Sequence, residues 1–261
     1  MPQDYLILCL AAALGGAVNA IAGGGTLLTF PALFAALGSS GDAAVIANAT
    51  STVALVPGSI AALAGYRREI REEGRWVRLL MVPSLLGGFV GSLLVVLLPG
   101  EYFKRAVPWL ILTAAGLFAL QPRITRWTGI GSRHAAPHSP RLVAGAMAFQ
   151  FVVAIYGGYF GAGIGILMLS ALAMLGLDDI HRMNAVKTLL ASLINGTSVV
   201  VFVASGNVHW PFAIAMAIAA SAGGYVAAHA ARQIDRRIVR AVVVSIGFVL
   251  ASYYFYRQFA G

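Results

Sequence analysis

One cysteine, Cys9, stands in a chain of 261 residues. A single thiol excludes an internal disulfide and any metal cluster held by several cysteines. Charge is scarce too. Asp, Glu, Lys and Arg make up 10% of the chain, against roughly 25% in an average soluble domain. The acids are nine: Asp4, Asp42, Glu69, Glu72, Glu73, Glu101, Asp178, Asp179 and Asp235. None falls inside a long hydrophobic run. That argues against an intramembrane aspartyl protease, a carboxylate proton relay and a cation carrier, which need acids at depth. HExxH is absent, which removes the usual zinc protease, and Gly23-Gly24-Gly25-Thr26 lacks the lysine of a phosphate-binding loop. Met1-Pro2-Gln3-Asp4 lacks the basic start of a signal peptide, so Tyr5–Ala22 is expected to stay as a membrane segment. No metal site and no cofactor are expected.

What the chain has in excess is apolar. Residues of the AVILMFWYC set make up 59%, with 30 glycines besides, and the mean hydropathy is +0.84. A soluble enzyme, a disordered chain and a disulfide scaffold are thereby excluded. The expectation is an all-α polytopic membrane protein. Apolar runs cover residues 5–22, 25–38, 44–66, 79–98, 106–121, 142–162, 163–177, 183–204, 210–231 and 241–256. A span needs about 20 residues, so the runs predict eight to ten spans. Two are short, at 14 and 15 residues. Each follows a glycine-rich break, Gly23-Gly24-Gly25 in one case and Gly161-Ala162-Gly163-Ile164-Gly165 in the other.

The breaks also reveal a repeat. With Gly25 opposite Gly163, Leu37-Gly38 falls on Leu175-Gly176. A shift of two then brings Asn48-Ala49 onto Asn184-Ala185, Thr52 onto Thr188 and Gly87-Gly88 onto Gly223-Gly224. Residues 1–121 and 142–261 are two copies of a five-segment unit, joined by a basic linker, 122–141. Charge predicts how the copies are oriented. Arg67, Arg68, Arg71, Arg75 and Arg78 crowd one loop, whose counterpart at 205–209 has no Lys or Arg. The next loop reverses this, with Lys104 and Arg105 against Arg232, Arg236, Arg237 and Arg240. Under the positive-inside rule, equivalent loops lie on opposite sides, and 15 of the 18 Lys and Arg lie inside. The net charge of +9 then belongs to loops on the cytoplasmic leaflet rather than to a nucleic-acid surface. The copies are inverted, both termini lie outside, and each half makes an odd number of crossings. Five crossings satisfy that, and so do three plus a re-entrant hairpin built from the first two segments.

Inverted-repeat carriers bind their cargo where broken helices of the two halves meet. The candidate site is assembled on that rule. Gly23, Gly24, Gly25 and Thr26 open the first short helix and Gly163 the second, each offering free N–H groups and a positive dipole end to an anion. The competing role for the glycines is close helix packing. Asn19, Asn48, Ser51, Thr52, Asn184, Thr188 and Asn195 add amides and hydroxyls, which donate hydrogen bonds without a fixed charge. Their alternative is hydrogen bonding between helices. Lys187 is the one Lys or Arg placed inside a run, and its sign fits an anion; its alternative is snorkelling to the inner surface. His134 and His138 flank Pro137 in the linker and read as solvated loop. His181 and His209 read as interfacial, and His229 as packed near a span end. Trp76, Trp109, Trp127 and Trp210 lie near run ends, as aromatic belts do. Tyr156, Tyr159 and Gln150 fit either a pathway or packing.

Gly15-Gly16-Ala17-Val18-Asn19-Ala20-Ile21-Ala22-Gly23-Gly24-Gly25-Thr26-Leu27-Leu28-Thr29-Phe30-Pro31 resembles the first motif of the sulfite exporter TauE/SafE membrane proteins. Ala47-Asn48-Ala49-Thr50-Ser51-Thr52-Val53-Ala54 and Pro57-Gly58-Ser59 resemble the second. Asn184-Ala185-Val186-Lys187-Thr188 and Asn195-Gly196 resemble degenerate copies of them. The resemblance covers nearly the whole chain. It implies a carrier of sulfur oxyanions, sulfite or small organosulfonates, with seven or eight spans. The expected function is export across a bacterial inner membrane, with a small anion and the lipid bilayer as partners and no nucleic acid. Self-association is compatible with this reading. A proton-coupled importer of the same anions is one alternative. A membrane enzyme or a non-transporting scaffold is another, from a different class.

Overall fold

The computed structural model describes residues 2–21, 23–38, 40–127, 140–177, 179–230 and 236–260. His134 and His138 of the linker lie outside the described residues, as do the pieces of chain between these ranges. Among the described residues the chain is all helix. The first half runs α1 (Pro2–Ile21), α2 (Thr26–Leu37), α3 (Gly41–Gly65), α4 (Arg67–Glu72), α5 (Gly74–Leu97) and α6 (Gly100–Trp127). The second runs α7 (Pro140–Tyr159), α8 (Ile164–Met174), α9 (Ile180–Ala204), α10 (Trp210–Ala230) and α11 (Arg236–Ala260). Eight of these are long and apolar enough to cross a membrane, and α2 and α8 are short apolar helices. The short runs therefore add no full-length helix, and eight is the number of described helices long enough to cross.

Both glycine breaks form in the same way. Gly23 ends α1 with φ +78° and donates its N–H to the carbonyls of Val18 and Asn19. Gly161 ends the helical turn after α7 with φ +82° and donates to Tyr156 O at 3.2 Å. A left-handed residue at this point is glycine's role, because a Cβ would clash. The chain then folds back. A Cβ on Gly15 would stand 2.8 Å from Thr29 Cγ2 and 3.1 Å from Gly25 O, so α2 returns along α1. Ile164, opening α8, lies against Gly157 of α7. Each half thus begins with a hairpin of one long and one short helix.

Packing between the first six helices and the last five recurs in pairs that follow the alignment of the sequence repeat. α1 lies on α10, and its equivalent α7 lies on α5; α3 packs on α10, and α9 on α5; α6 meets α11, and α3 meets α9. The tight crossings rest on small residues. A Cβ on Gly16 would fall inside the carbonyl of Ala220, and one on Gly223 inside that of Ala13. In the other pair, Gly91 faces Ile155 O and Gly158 faces Gly88 O in the same manner. Backbones that close gain van der Waals contact, the main attraction between helices in lipid.

The connections sort to two ends. At one, the basic end, Arg182 of α9 bonds Glu72 at 3.3 Å and Glu73 at 3.1 Å, joining the α8–α9 connection to the α3–α5 connection. At the far end, Gly41 opens α3 with its N–H on Glu101 Oε1 at 3.1 Å, joining the α2–α3 connection to the α5–α6 connection. The 24-residue α5 separates the two ends. Tyr5 packs edge-on to Phe212, and Phe34 against Tyr254, so the start of α1 and the last turns of α11 lie at the far end.

Some local expectations shift. The basic loop at 67–78 is largely helical: α4 takes Arg67, Arg68 and Arg71, and Arg75 and Arg78 stand in the first turns of α5. Trp76 does not face lipid. It is 7% exposed, in a core with Leu80, Met168 and Met183, while Trp109 and Trp210 remain exposed. Asp179 caps α9 through the N–H groups of His181 (2.7 Å) and Arg182 (3.1 Å). These donors, Arg182 first, hold its carboxyl below the usual range, so the cap is lost only as pH falls through that lowered value. The Arg182 guanidinium is about half exposed in both ion pairs, and pairs open to water contribute little. Arg182→Gln is therefore expected to leave the melting temperature of the detergent-solubilised chain nearly unchanged, as a thermal unfolding scan will register.

Candidate functional site

The hairpin turns of both halves border one cavity of about 590 Å³. Asn19, Gly23 and Thr26 come from the first hairpin, and Phe160, Gly161, Ile164 and Gly165 from the second. α3 adds Thr52 and Ser59, α9 adds Asn184, Lys187, Thr188, Ser192 and Asn195, and α10 adds Ser221 and Tyr225. The i,i+4 and i,i+7 spacings along α3 and α9 explain the lining: each helix shows one polar stripe to the space between the halves. The N-termini of α2 and α8 both reach the wall, and neither has a side-chain cap. Thr26 of α2 and Ile164 and Gly165 of α8 stand at the wall, so the positive dipole ends of both helices lie beside the cavity.

Lys187 is the one charged side chain among the described lining residues. Its Nζ donates to Asn184 Oδ1 at 3.1 Å, and the Asn184 amide donates in turn to Ile180 O at 2.8 Å. The Lys187 stem lies beside Gly165, where a Cβ would stand 3.2 Å from Cδ. Asn19 Nδ2 reaches Ser59 Oγ at 3.4 Å, tying the first hairpin to α3. Thr52, Ser59 and Ser192 each donate to the carbonyl one turn back. Their oxygens keep lone pairs free, but an anion would have to draw their protons away from those carbonyls. Arriving unpaired, an anion meets one ammonium, several amides, two helix ends and no carboxylate. A cation would meet repulsion.

Of the thirteen residues expected at the site, eight line this cavity: Asn19, Gly23, Thr26, Thr52, Asn184, Lys187, Thr188 and Asn195. Five do not, and all five are buried elsewhere. Gly24 lies under the ring of Phe118, and Gly25 against Gly15 O. Gly163 turns the chain at φ +80° beside Ala114 and Leu117. Ser51 Oγ pairs with Thr29 Oγ1 at 2.6 Å, holding α2 on α3. Asn48 donates to Tyr159 O at 3.1 Å, just past the cavity wall at Phe160, and its Oδ1 is buried without a hydrogen-bond partner. Thr50, another polar residue of that motif, accepts from His209 N at 3.0 Å and fixes the α9–α10 connection.

A family model described as "Sulfite exporter TauE/SafE" matches residues 8–254. The chain belongs to the sulfite exporter TauE/SafE family. A Haemophilus influenzae protein named "Probable membrane transporter protein" is 25% identical over 242 residues, spanning 92% of this chain and 90% of that one. The Escherichia coli "Probable membrane transporter protein YfcA" is 27% identical over 250 residues, spanning 94% of this chain and 87% of its own. No solved structure matches. With eight apolar helices and these relatives, this TauE/SafE protein is a multi-pass membrane transporter.

Several lining residues of the TauE/SafE protein escaped the sequence reading. The sequence shift that aligns Asn48 with Asn184 also sets Ser59 opposite Asn195 and would have found it. Ser192 stands one turn from Thr188 on the same stripe. Ser221 and Tyr225 lie in an apolar run on α10 and carry no pattern of their own. Gln150, left open between pathway and packing, donates to Ser84 Oγ at 2.8 Å within the α5–α7 contact, so it packs. Tyr156 donates to Ala162 O at 2.9 Å and braces the second break. Among the described residues no group of His, Cys, Asp and Glu could hold a metal.

Proposed function

We propose that the cavity is the transport site of an exporter for small sulfur-containing anions, sulfite or a small organosulfonate. The observation that carries this reading is the donor set. Both halves deliver amides and uncapped helix ends to one cavity whose only described charge is Lys187. The size fits the upper members of the class. At ~30 Å³ per water, the cavity holds roughly 20 water volumes. A bare oxyanion leaves room for its hydration, and an organic tail would lie along Leu55, Ala61 and Ala191.

The two halves, 1–121 and 142–261, are read as inverted repeats. The support is positional. The α8–α9 connection shares the basic end with the α3–α5 connection, whereas its equivalent, α2–α3, lies at the far end. Each half then makes three crossings plus a re-entrant hairpin. Transport follows by rocking one half against the other. Asymmetry between equivalents supports a basic-end-open state. Asn184 lines the cavity beside Lys187, while its equivalent Asn48 is shut against Tyr159 O. Past Phe160 a ring layer closes the far side: Phe30 sits 5.4 Å from Phe160, 5.8 Å from Phe34 and 6.2 Å from Phe103. The positive-inside rule puts the basic end in the cytoplasm of a bacterial inner membrane, with both termini outside. Thiol labelling of terminal cysteines from outside intact cells tests that placement.

Moving a monovalent anion out of a negative interior gains about 2.3 kcal/mol per 100 mV, so export needs no coupling ion. Counterflow of labelled sulfite against sulfoacetate, sulfate and acetate in proteoliposomes tests the substrate. Flux under an imposed potential without a proton gradient separates export from proton-coupled uptake. Asn184→Leu is expected to raise the sulfite concentration for half-maximal counterflow by about tenfold or more, the loss of one hydrogen bond to a charged partner. Unchanged counterflow would remove Asn184 from the site.

A further inference from the structure

We infer that the protein carries a second oxyanion site, on the exit side of the ring layer. The far end holds a separate pocket of about 290 Å³ between α6 and α11. Lys104, Arg105 and Arg257 line it, together with Phe34 and Tyr254. These are the only three Lys or Arg that the charge pattern leaves on that side of the membrane. They come from opposite halves of the chain, yet they converge on one hollow. Cations that only reached for the interface would spread around the protein, because like charges repel. One carboxylate, Glu101, lines the pocket, and it is already shared between the Gly41 N–H and Lys104 Nζ at 3.5 Å. Arg105 and Arg257 make no salt bridge among the described residues. The pocket keeps an excess of positive charge.

Its position supplies the second argument. Phe34 lines this pocket, Phe160 lines the transport cavity, and Phe30 packs against both rings. The two sites are therefore separated by one ring stack. An anion released past that stack would arrive beside three cations before meeting bulk water. The site suits a singly charged head with several oxygens. A departing sulfonate or hydrogensulfite has that chemistry, and so does the phosphate of an anionic lipid. The assignment of the first source rests on the export reading; the site itself does not.

The test is equilibrium binding of radiolabelled sulfite to the full chain in nanodiscs of phosphatidylcholine. Wild type is expected to bind two sulfites per chain. The double variant Lys104→Gln/Arg257→Gln is expected to lose one, its affinity falling about tenfold or more, and Lys187→Gln to lose the other. A parallel arm uses discs containing phosphatidylglycerol, with bound lipid counted by native mass spectrometry. If only the retained phosphatidylglycerol falls in the double variant, the site is real and a headgroup fills it. If that variant matches wild type in both sulfite and phosphatidylglycerol, the inference is overturned. If Lys187→Gln keeps both sulfites while the double variant loses one, the transport-site reading fails and the second site stands. The double variant changes exposed or half-exposed positions, and a matched melting temperature confirms that it folds.

Discussion

Lys187→Gln is expected to lower sulfite transport at limiting concentration by roughly 10- to 150-fold, the equivalent of the 1.5–3 kcal/mol attached to a hydrogen bond with a charged group. Proteoliposome counterflow measures it. Glutamine keeps a donor near Asn184 and fits beside Gly165, so the loss isolates the charge. Stability should move the other way. An ammonium at bilayer depth is costly without its anion, and its removal is expected to leave the melting temperature unchanged or raised. A merely snorkelling lysine would produce neither result: transport would persist. Lys187→Arg keeps the charge but not the shape, because the guanidinium is a wide planar fork. Partial activity in that variant, with none in Lys187→Gln, would identify charge as the requirement. Equal transport in all three proteins would remove Lys187 from the mechanism.

Gly16→Ala and Gly91→Ala are expected to be among the most destabilising single-methyl changes at the described glycines. Each would drive a Cβ into a carbonyl oxygen of the facing helix, Ala220 in one case and Ile155 in the other. Neither obstacle is a flexible side chain, so a whole helix must move. Overpacking of this kind costs about 1–3 kcal/mol, sometimes more. Thermal unfolding in detergent and the yield of monodisperse protein would register it. Gly116→Ala and Gly145→Ala are the controls, since an added Cβ meets nothing within 4 Å at either position. Those two should match wild type or gain slightly from the higher helix propensity of alanine. A Gly16→Ala protein as stable as Gly116→Ala would mean that α1 and α10 do not cross as closely as the structure has them. The same comparison bears on transport, because α1–α10 and α5–α7 are the contacts across which the halves would slide.

The sequence by itself determined the class and the architecture. Long uncharged runs have no stable home outside a bilayer, and in the bilayer only helices satisfy their own backbone, so an all-helical membrane protein followed from composition and run length. The two breaks were legible because a run of glycines cannot continue a helix. Both form with a left-handed glycine whose N–H bonds the carbonyl five residues back, Gly23 to Val18 and Gly161 to Tyr156. The polar stripe of α9 was legible as well, since Asn184, Lys187, Thr188 and Asn195 repeat at helical spacing. Periodicity says which residues share a face but not what that face meets, and here only the tertiary structure decided. The sequence repeat aligns Asn48 with Asn184, yet one is closed against Tyr159 O and the other borders the cavity, because the turn after α7 covers the first. The same alignment sets Ser51 opposite Lys187, and packing spends the hydroxyl on Thr29 while the ammonium stays at the cavity wall. The gathering of Lys104, Arg105 and Arg257 left no trace in the chain order, since α6 and α11 become neighbours only when the two halves assemble.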